Sequence, residues 1–511
     1  MKTNAAKICV PVCVQRASDL PEAIVRAGEV ADVIELRLDC LLESEIDSTS
    51  RVLSSLMDKV EVLVILTLRS GAQGGRSSLD LDQRAQLWVT LGRGVENCLK
   101  DFELDLTQQL QHRAKAQVDW SKVICSHHDF AGVPTNLEQI YQSMAATPAH
   151  ILKIAVQADD ATDCLPVFRL LERAQREGRE MIAIAMGPAG IMTRILGPSR
   201  GSFLTYGSLD DESATAPGQL TARELREVYR IDRIDQQTEV VGIIGKPVGH
   251  SLSPHLHNAA FADAGVNAVY IPFDVRDAVS FLRRMAHPRT RELDWNLRGL
   301  SVTAPHKSVV IDRLDWIEPA AKEIGAVNTI VLQDQELHGY NTDAPGFIAP
   351  LRKVFGSLQG ARCALIGAGG GARAALWALR NEDAQVVLFV RDADQAKPVA
   401  EEFGVDCHQL VDAPFDEFEI VINATPLGSA GEHKDKTVAT AAQLGGVRLA
   451  YDLVYNPIET RFLREARAAG CETLSGLDML IAQAVEQFKL WTRQNPNTEV
   501  MRAAARRGLG V

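Results

Sequence analysis

The first 235 residues repeat one pattern eight times. Short apolar runs, KICVPVCV (7–14), VIELRL (33–38), EVLVILTL (61–68), DFELDL (101–106), KVICSHH (122–128), HILKIAV (150–156), EMIAIAM (180–186) and SFLTYG (202–207), alternate with longer polar stretches. The stretches between them, such as LDQRAQLWVTLGRGVENCL, space their apolar residues at helical intervals. Several runs are apolar throughout, as strands buried on both faces are. Eight β–α units over residues 1–235 predict a closed (β/α)8 barrel of the TIM type. An open doubly wound sheet is the alternative that spacing leaves open.

The remaining half of the 511 residues reads differently. A charged stretch, REVYRIDRIDQQTE, reads as a linker into VVGIIG. From there the chain divides into an α/β segment at 238–345 and a second at 346–475. A final helical stretch at 476–511 is expected to return to the first of these. With 54 Lys and Arg against 66 Asp and Glu, the net charge of −12 disfavours partners that need a basic surface, namely nucleic acid and anionic membranes. No apolar run reaches the roughly 18 residues of a membrane span. The start, MKTNAAKICVPVCVQ, has no signal-peptide core, so the expected location is the cytoplasm. The nine cysteines include no C-x-x-C and read as free thiols. No histidine–cysteine cluster has zinc spacing.

Polar residues at the ends of the barrel runs carry the chemical information. They are Glu35, Arg37, Arg69, His127, His128 and Arg194, with Lys153 inside the apolar run HILKIAV. The carboxyl ends of barrel strands share one face, so these residues are expected to converge on a pocket rich in positive charge, suited to a small anion. Taken alone, Lys153 reads as a strand-end lysine reaching for solvent. With cationic neighbours and little water, an amine sheds its proton and attacks carbonyls. The resulting imine acidifies the adjacent carbon, and a histidine can move the proton there to a leaving hydroxide. Spacing does not choose between His127 and His128.

The segments VIELRLD, TLRSGAQGG, SHHDF, KIAV and TAPGQL together resemble the type I 3-dehydroquinate dehydratases, in order and spacing. The resemblance implies a Schiff-base lysine at Lys153, a catalytic His128, and substrate contacts from Glu35, Arg37, Arg69, Arg194, Thr215 and Gln219. The family pattern has glutamate where this chain has Gln73, so His128 lacks a carboxylate partner there. Thr215 stands where the family has serine.

In the middle segment, GKPVGHSLSPHLHN places Ser251 and Ser253 two apart, followed by Thr303 and Lys307, Asn328, and Thr342 and Asp343. Singly these read as turn residues. Together, hydroxyls, an amide and one Lys/Asp pair suit a hydroxylated ring bearing a carboxylate, with Lys307 as proton donor. His250, His255 and His257 have no accompanying carboxylates, and metal binding is not expected. In the third segment, CALIGAGGGARAALWALR fits G-x-G-x-x-A after a strand and ahead of a helix, which predicts a Rossmann dinucleotide site. The next strand ends in Arg391-Asp392, where arginine favours a 2′-phosphate and an acid favours a 2′-hydroxyl.

From about residue 240 onward, GKPVGHSLSP, SVTAPHK, GAVNT, NTD, GAGGGARA, INATPLG, DLVYNP-x-x-T and GLDML-x-x-QA resemble shikimate dehydrogenases. The resemblance implies a two-domain unit with Lys307 and Asp343 catalytic. It implies substrate contacts from Ser251, Ser253, Thr303, Asn328, Tyr455 and Gln483. Cofactor contacts are implied from Gly367, Ala368, Gly369, Gly370, Gly371, Arg391 and Gly476. NADP is the implied cofactor. Asp392 and Gln395, standing where a threonine and a basic residue are common, imply some NAD use as well. Ser301 stands where many members have asparagine. The two resemblances imply consecutive steps: 3-dehydroquinate to 3-dehydroshikimate, then to shikimate. The alternative is a working dehydrogenase whose barrel, weakened at Gln73, acts as a binding scaffold.

Overall fold

The computed structural model describes residues 6–46, 49, 53, 60–91, 95, 97–113, 118–210, 218–411 and 413–511. The first eight strands are β1 (Ile8–Val12), β2 (Val33–Arg37), β3 (Leu63–Thr67), β4 (Leu99–Glu103), β5 (Val123–Asp129), β6 (Ile151–Gln157), β7 (Glu180–Met186) and β8 (Thr205–Tyr206). They form one parallel sheet in the order β7-β6-β5-β4-β3-β2-β1-β8. A bridge between Met181 and Ser202 brings its two edges together, so the ring is nearly closed. The apolar character of both faces follows from this. Cys9, Val33, Ile65, Ile124, Ile151 and Ile182 fill the interior, while outward residues such as Val10, Ile34 and Leu152 pack under the helices. The helix Cys164–Arg176 buries Leu165, Phe168 and Leu171 on one stripe.

Three readings change. The run at 101–106 is strand only as far as Glu103, and Leu104–His112 is already helix, turning Leu106 and Leu110 into the core. The stretch read as a linker is folded. A capping box between Thr221 and Glu224 opens the helix Ala222–Glu227, and Tyr229, Ile231 and Ile234 are buried. Cysteines 13 and 40 are not free thiols but a disulfide, with Cα atoms 5.4 Å apart. Parallel pairing of β1 with β2 puts their carboxyl ends side by side, which a separation of 27 residues does not announce. The other seven cysteines are in no disulfide.

The second half holds two sheets. In the first, β9 (Glu239–Gly245) lies between β10 (Ala268–Asp274) and β11 (Leu297–Val302), all parallel. β13 (Thr329–Gln333) and β14 (Glu336–Tyr340) continue it antiparallel, and β12 (Trp316–Ile317) forms the far edge. The second sheet is wholly parallel, in the order β17-β16-β15-β18-β19-β20. It comprises β15 (Arg362–Ile366), β16 (Gln385–Val390), β17 (Asp406–Gln409), β18 (Ile420–Asn423), β19 (Leu449–Asp452) and β20 (Glu472–Leu474). That order is the dinucleotide-binding one, with its switch point between β15 and β18. The helix Gly476–Thr492 leaves this sheet and returns to the first, burying Leu477, Ile481, Phe488 and Trp491 against Phe261 and Tyr270.

The two halves touch directly. The helix Ile191–Leu196 of the barrel packs against β10. Arg276 donates its backbone N–H to Asp160, and Arg169 pairs with Glu292. No described helix is long and apolar enough to cross a membrane.

Candidate active sites

At the carboxyl end of the barrel, one cavity gathers Glu35, Arg37, Arg69, Gln73, His128, Lys153, Arg194, Tyr206 and Gln219. Thr215 lies outside the described residues. Strand alternation decides between the histidines: Ser126 and His128 face inward on β5, and His127 does not line the cavity. The loop after β3 brings Gln73 beside His128. Its tight return needs Gly74, at φ +76°, and Gly75, where an added Cβ would lie 2.1 Å from the Arg69 carbonyl oxygen. The Gln73 Oε1 accepts the backbone N–H of His128 at 3.0 Å and stands 3.4 Å from its Nδ1.

The electrostatics differ from the expected cationic pocket. Buried carboxylates accompany the cations. Arg37 forms a two-pronged pair with Asp39 at 2.9 and 2.8 Å. Arg69 donates to Asp101 at 2.8 Å and to Ser126 at 2.7 Å. Lys153, only 4% exposed, contacts Asp101 at 2.9 Å, Glu35 at 3.2 Å and the Tyr206 hydroxyl at 2.8 Å. Its nearest partners are therefore two carboxylates and a phenol, not cations. Burial opposes charge on Asp101, but Arg69 and Lys153 outweigh it and hold the carboxyl far below the usual range. Arg194 is the exception: fully buried, it has no carboxylate partner among the described residues, its Nη1 donates to the Tyr206 carbonyl at 3.4 Å, and its Nε meets no hydrogen-bond partner among them. Burial pulls its guanidinium down to about 10. An unpaired buried cation in a cavity is a ready seat for an anion. His128 is held well below the ordinary histidine range by burial and then by repulsion from Arg69 and Lys153, which favours the neutral imidazole.

A second cavity, of about 660 Å³, opens between the two sheets of the other half. Ser251, Ser253, Thr303, Lys307, Asn328, Asp343, Tyr455 and Gln483 all line it, with Gly371 and Gly476. Lys307 donates to Asp343 at 2.5 Å, and Asn328 donates to the other Asp343 oxygen at 2.8 Å. The Asn328 oxygen in turn accepts the Thr342 backbone N–H at 2.7 Å. His257, one of the three histidines weighed for metal, is fully buried and stacks on Tyr270 with centroids 4.6 Å apart. Among the described residues, no group of three His, Cys, Asp or Glu is arranged to hold a metal.

The glycine turn joins β15 to the helix Gly370–Arg380. Gly367 needs its φ of +109°, and an added Cβ would press on Thr425 at 2.9 Å. Around Gly369 and Gly371, by contrast, an added Cβ would meet nothing within 4 Å. This is open space at a helix N-terminus, the cradle a pyrophosphate fills. Gly370 abuts the Lys307 side chain, 3.1 Å from a hypothetical Cβ, so the cradle adjoins the Lys/Asp couple. Ala368 completes the turn, and Arg391 is exposed at the end of neighbouring β16. Asp392 is not free: it caps the helix Ala393–Phe403 by accepting the Gln395 N–H at 3.1 Å.

Residues 8–236 match the model of type I 3-dehydroquinase, residues 243–330 that of the shikimate dehydrogenase substrate binding domain, and residues 476–506 that of the shikimate 5′-dehydrogenase C-terminal domain. A chloroplastic bifunctional 3-dehydroquinate dehydratase/shikimate dehydrogenase of Arabidopsis thaliana is 33% identical over 96% of this chain and 82% of its own length. The chain belongs to the bifunctional 3-dehydroquinate dehydratase/shikimate dehydrogenase family. A shikimate dehydrogenase (NADP+) of Carboxydothermus hydrogenoformans is 38% identical over 53% of this chain and 98% of its own length. A crystal structure of a shikimate dehydrogenase in complex with NADP+ superposes with a TM-score of 0.51 at 37% identity, covering 54% of this chain and 97% of that one.

This family member carries further site residues that sequence reasoning missed. In the dehydratase half they are Asp101, Tyr206 and Ser126. In the dehydrogenase half it is Gln487, which lines the cavity with Ser301, the serine noted in place of an asparagine; Ser301 donates to Gln487 at 3.0 Å, and Gln487 donates to Thr329 at 3.0 Å. Gln487 sits four residues after Gln483 on one helix face, and that spacing was the available signal.

Proposed function

We propose that the barrel dehydrates 3-dehydroquinate through an imine at Lys153, and that the second half reduces 3-dehydroshikimate to shikimate with NADPH. The observation that carries this reading is the placement of Lys153: buried, and lining one cavity with His128 and with Arg194, whose guanidinium has no carboxylate partner among the described residues. In this reading Arg194 and Gln219 hold the substrate carboxylate, with Glu35, Arg37 and Arg69 around the ring. Lys153 attacks the ketone, the imine acidifies the neighbouring carbon, and neutral His128 takes that proton and returns it to the departing hydroxyl, which leaves as water.

In the second cavity, Ser251 and Ser253 hold the shikimate carboxylate, with Tyr455 and Gln483 on the ring. Lys307 donates the proton to the developing alkoxide while Asp343 and Asn328 orient both. The glycine turn would seat the pyrophosphate, Gly476 would line the nicotinamide side, and Arg391 would meet the 2′-phosphate. When bound, the cofactor supplies the reducing equivalent. The working units are 1–235, 238–345 with 476–511, and 346–475. The open cradle at Gly369 and Gly371 and the names of the NADP-dependent relatives support the cofactor assignment. One observation favours a second reading: Gln73 cannot charge-stabilise His128, as in a dehydrogenase with a weakened barrel. Dehydroquinate supplied alone, with and without NADPH, separates the two. Dehydroshikimate formed without cofactor supports the first reading; no product in either arm, with shikimate oxidation intact, supports the second.

A further inference from the structure

Among the described residues, three groups lie within hydrogen-bond reach of the Lys153 Nζ: Asp101 at 2.9 Å, Glu35 at 3.2 Å and the Tyr206 hydroxyl at 2.8 Å. An ammonium held by two carboxylates does not attack a ketone, so activation must move a proton off this nitrogen. Asp101 is the poorer acceptor, because a second cation, Arg69 at 2.8 Å, holds it as the carboxylate along with Ser126 at 2.5 Å, whereas Glu35, apart from the lysine and Tyr206, accepts from the neutral Thr67 hydroxyl at 2.7 Å. Tyr206 makes the shortest of the three contacts. Its hydroxyl also stands 3.5 Å from the Glu35 Oε1, a long contact of the kind that tightens when substrate binds. The Tyr206 ring lies under the same nitrogen, 4.5 Å from its centroid, and its hydroxyl faces the cavity between Lys153 and Glu35. β8 is only two residues long, and pairing of Cys9 with Tyr206 fixes which way the ring points.

We propose that Tyr206 is a proton relay between Lys153 and Glu35 that activates the lysine for imine formation. The Lys153 ammonium gives one proton to the Tyr206 oxygen as Tyr206 gives its own to Glu35. The result is a neutral amine, an unchanged phenol and a protonated Glu35. The nitrogen lone pair then forms the bond to the ketone carbon, and the carbonyl π pair moves to oxygen. The protonated Glu35 neutralises that oxygen. A second passage through the relay takes one of the two protons left on the nitrogen to Glu35, which returns it to the oxygen as that leaves as water; the nitrogen lone pair forms the C=N bond and the last N–H proton stays on the imine. No outside acid, base or oxidant is needed. Burial, and then the nearby Glu35, push the phenol well above its usual range, so it passes a proton on rather than holding a charge.

The inference rests on the imine at Lys153. The test is rapid-quench borohydride trapping with dehydroquinate over a range of pH, read as mass added to the Lys153 peptide. Absence of label in the unmodified protein would sink the imine itself, and the relay with it. If label forms, Tyr206→Phe should slow its appearance about 100-fold or more near neutral pH. KM should stay within about twofold, and the rate should recover in alkali, where hydroxide strips the amine directly. An equal rate, or a loss uniform across pH, would show that Tyr206 is only a wall. Should the phenylalanine variant not fold, 3-fluorotyrosine at position 206 keeps the shape and acidifies the phenol. A shifted pH profile of trapping supports the relay, and an unshifted one overturns it.

Discussion

At Gln73 an amide occupies the place of the glutamate that the dehydratase pattern carries, 3.4 Å from the His128 ring. Neutral His128 is the proposed base, and its depressed proton affinity keeps it neutral below pH 6.5. The acid limb of kcat/KM for the dehydratase should therefore lie below that value. Gln73→Glu adds a negative charge that favours the imidazolium, so the limb should move upward, and kcat should rise roughly 10–100-fold, or about 1.4–2.7 kcal/mol of barrier. A pH–rate series on both proteins checks this; a variant no faster than its parent would mean either that another residue, such as Asp101, already supplies the charge or that His128 is not the base. Across the molecule, Ser251 and Ser253 line the cavity where the substrate carboxylate is placed. Quinate carries one more hydroxyl at that ring carbon and should be crowded there. Shikimate should be preferred by roughly tenfold or more in kcat/KM, and Ser251→Gly should narrow the gap. Lys153 stood out in the sequence because a lysine in an apolar strand violates its surroundings. Asp101 and Tyr206 did not: DFELDL reads as ordinary polar alternation and TY as ordinary strand, and only strand register shows that both reach the same nitrogen.

The helix Ala393–Phe403 shows how one element constrains the cofactor question. Asp392 is its N-cap, so its carboxylate serves the helix before it serves a ribose. Asp392→Ala should cost about 1 kcal/mol of stability. Asp392→Thr keeps a capping hydroxyl and removes the charge that repels a 2′-phosphate, so it should raise the preference for NADP over NAD with little change in Tm. Arg391→Ala should reverse the preference. Parallel kcat/KM measurements with both cofactors and saturating shikimate decide it, and a natural preference for NAD would place Arg391 away from the 2′ position. Elements with a clear period were readable in advance: the barrel strands and the β15–glycine–helix unit. The boundary at Glu103 was not, because its leucines suit a strand or a helix equally. The folded character of the connection at 226–239 was masked by its charges, which alternate with the buried Tyr229, Ile231 and Ile234.

For the molecule as a whole, acid is the informative stress. His257 is fully buried, and burial, only partly offset by the nearby Gln487 side chain, pulls it down to about 3. The unfolded chain binds this proton from about pH 6.5 downward while the folded chain refuses it, so stability is lost as pH falls below that point, by up to about 1.4 kcal/mol per pH unit for each such group. His128 acts in the same direction. Denaturant unfolding at pH 7 and pH 5 should show the loss, and His257→Phe, which keeps a ring against Tyr270, should flatten it. The contact between Ile191–Leu196 and β10, with Arg276 on Asp160, makes the halves mutually supporting. Residues 1–235 produced alone should melt several degrees below the same barrel within the full chain; equal calorimetric transitions would show that the contact contributes nothing.

That short helix has a second meaning for anyone breeding variants of this chain. One side presents Arg194 to the dehydratase cavity, and another lies against a strand of the dehydrogenase sheet. A library selected only for faster shikimate formation from dehydroshikimate would be free to reshape β10. It would then carry, unselected, shifts in how the barrel grips its own acid. Screening for both reactions at once is the way to keep improvement at one bench from becoming damage at the other.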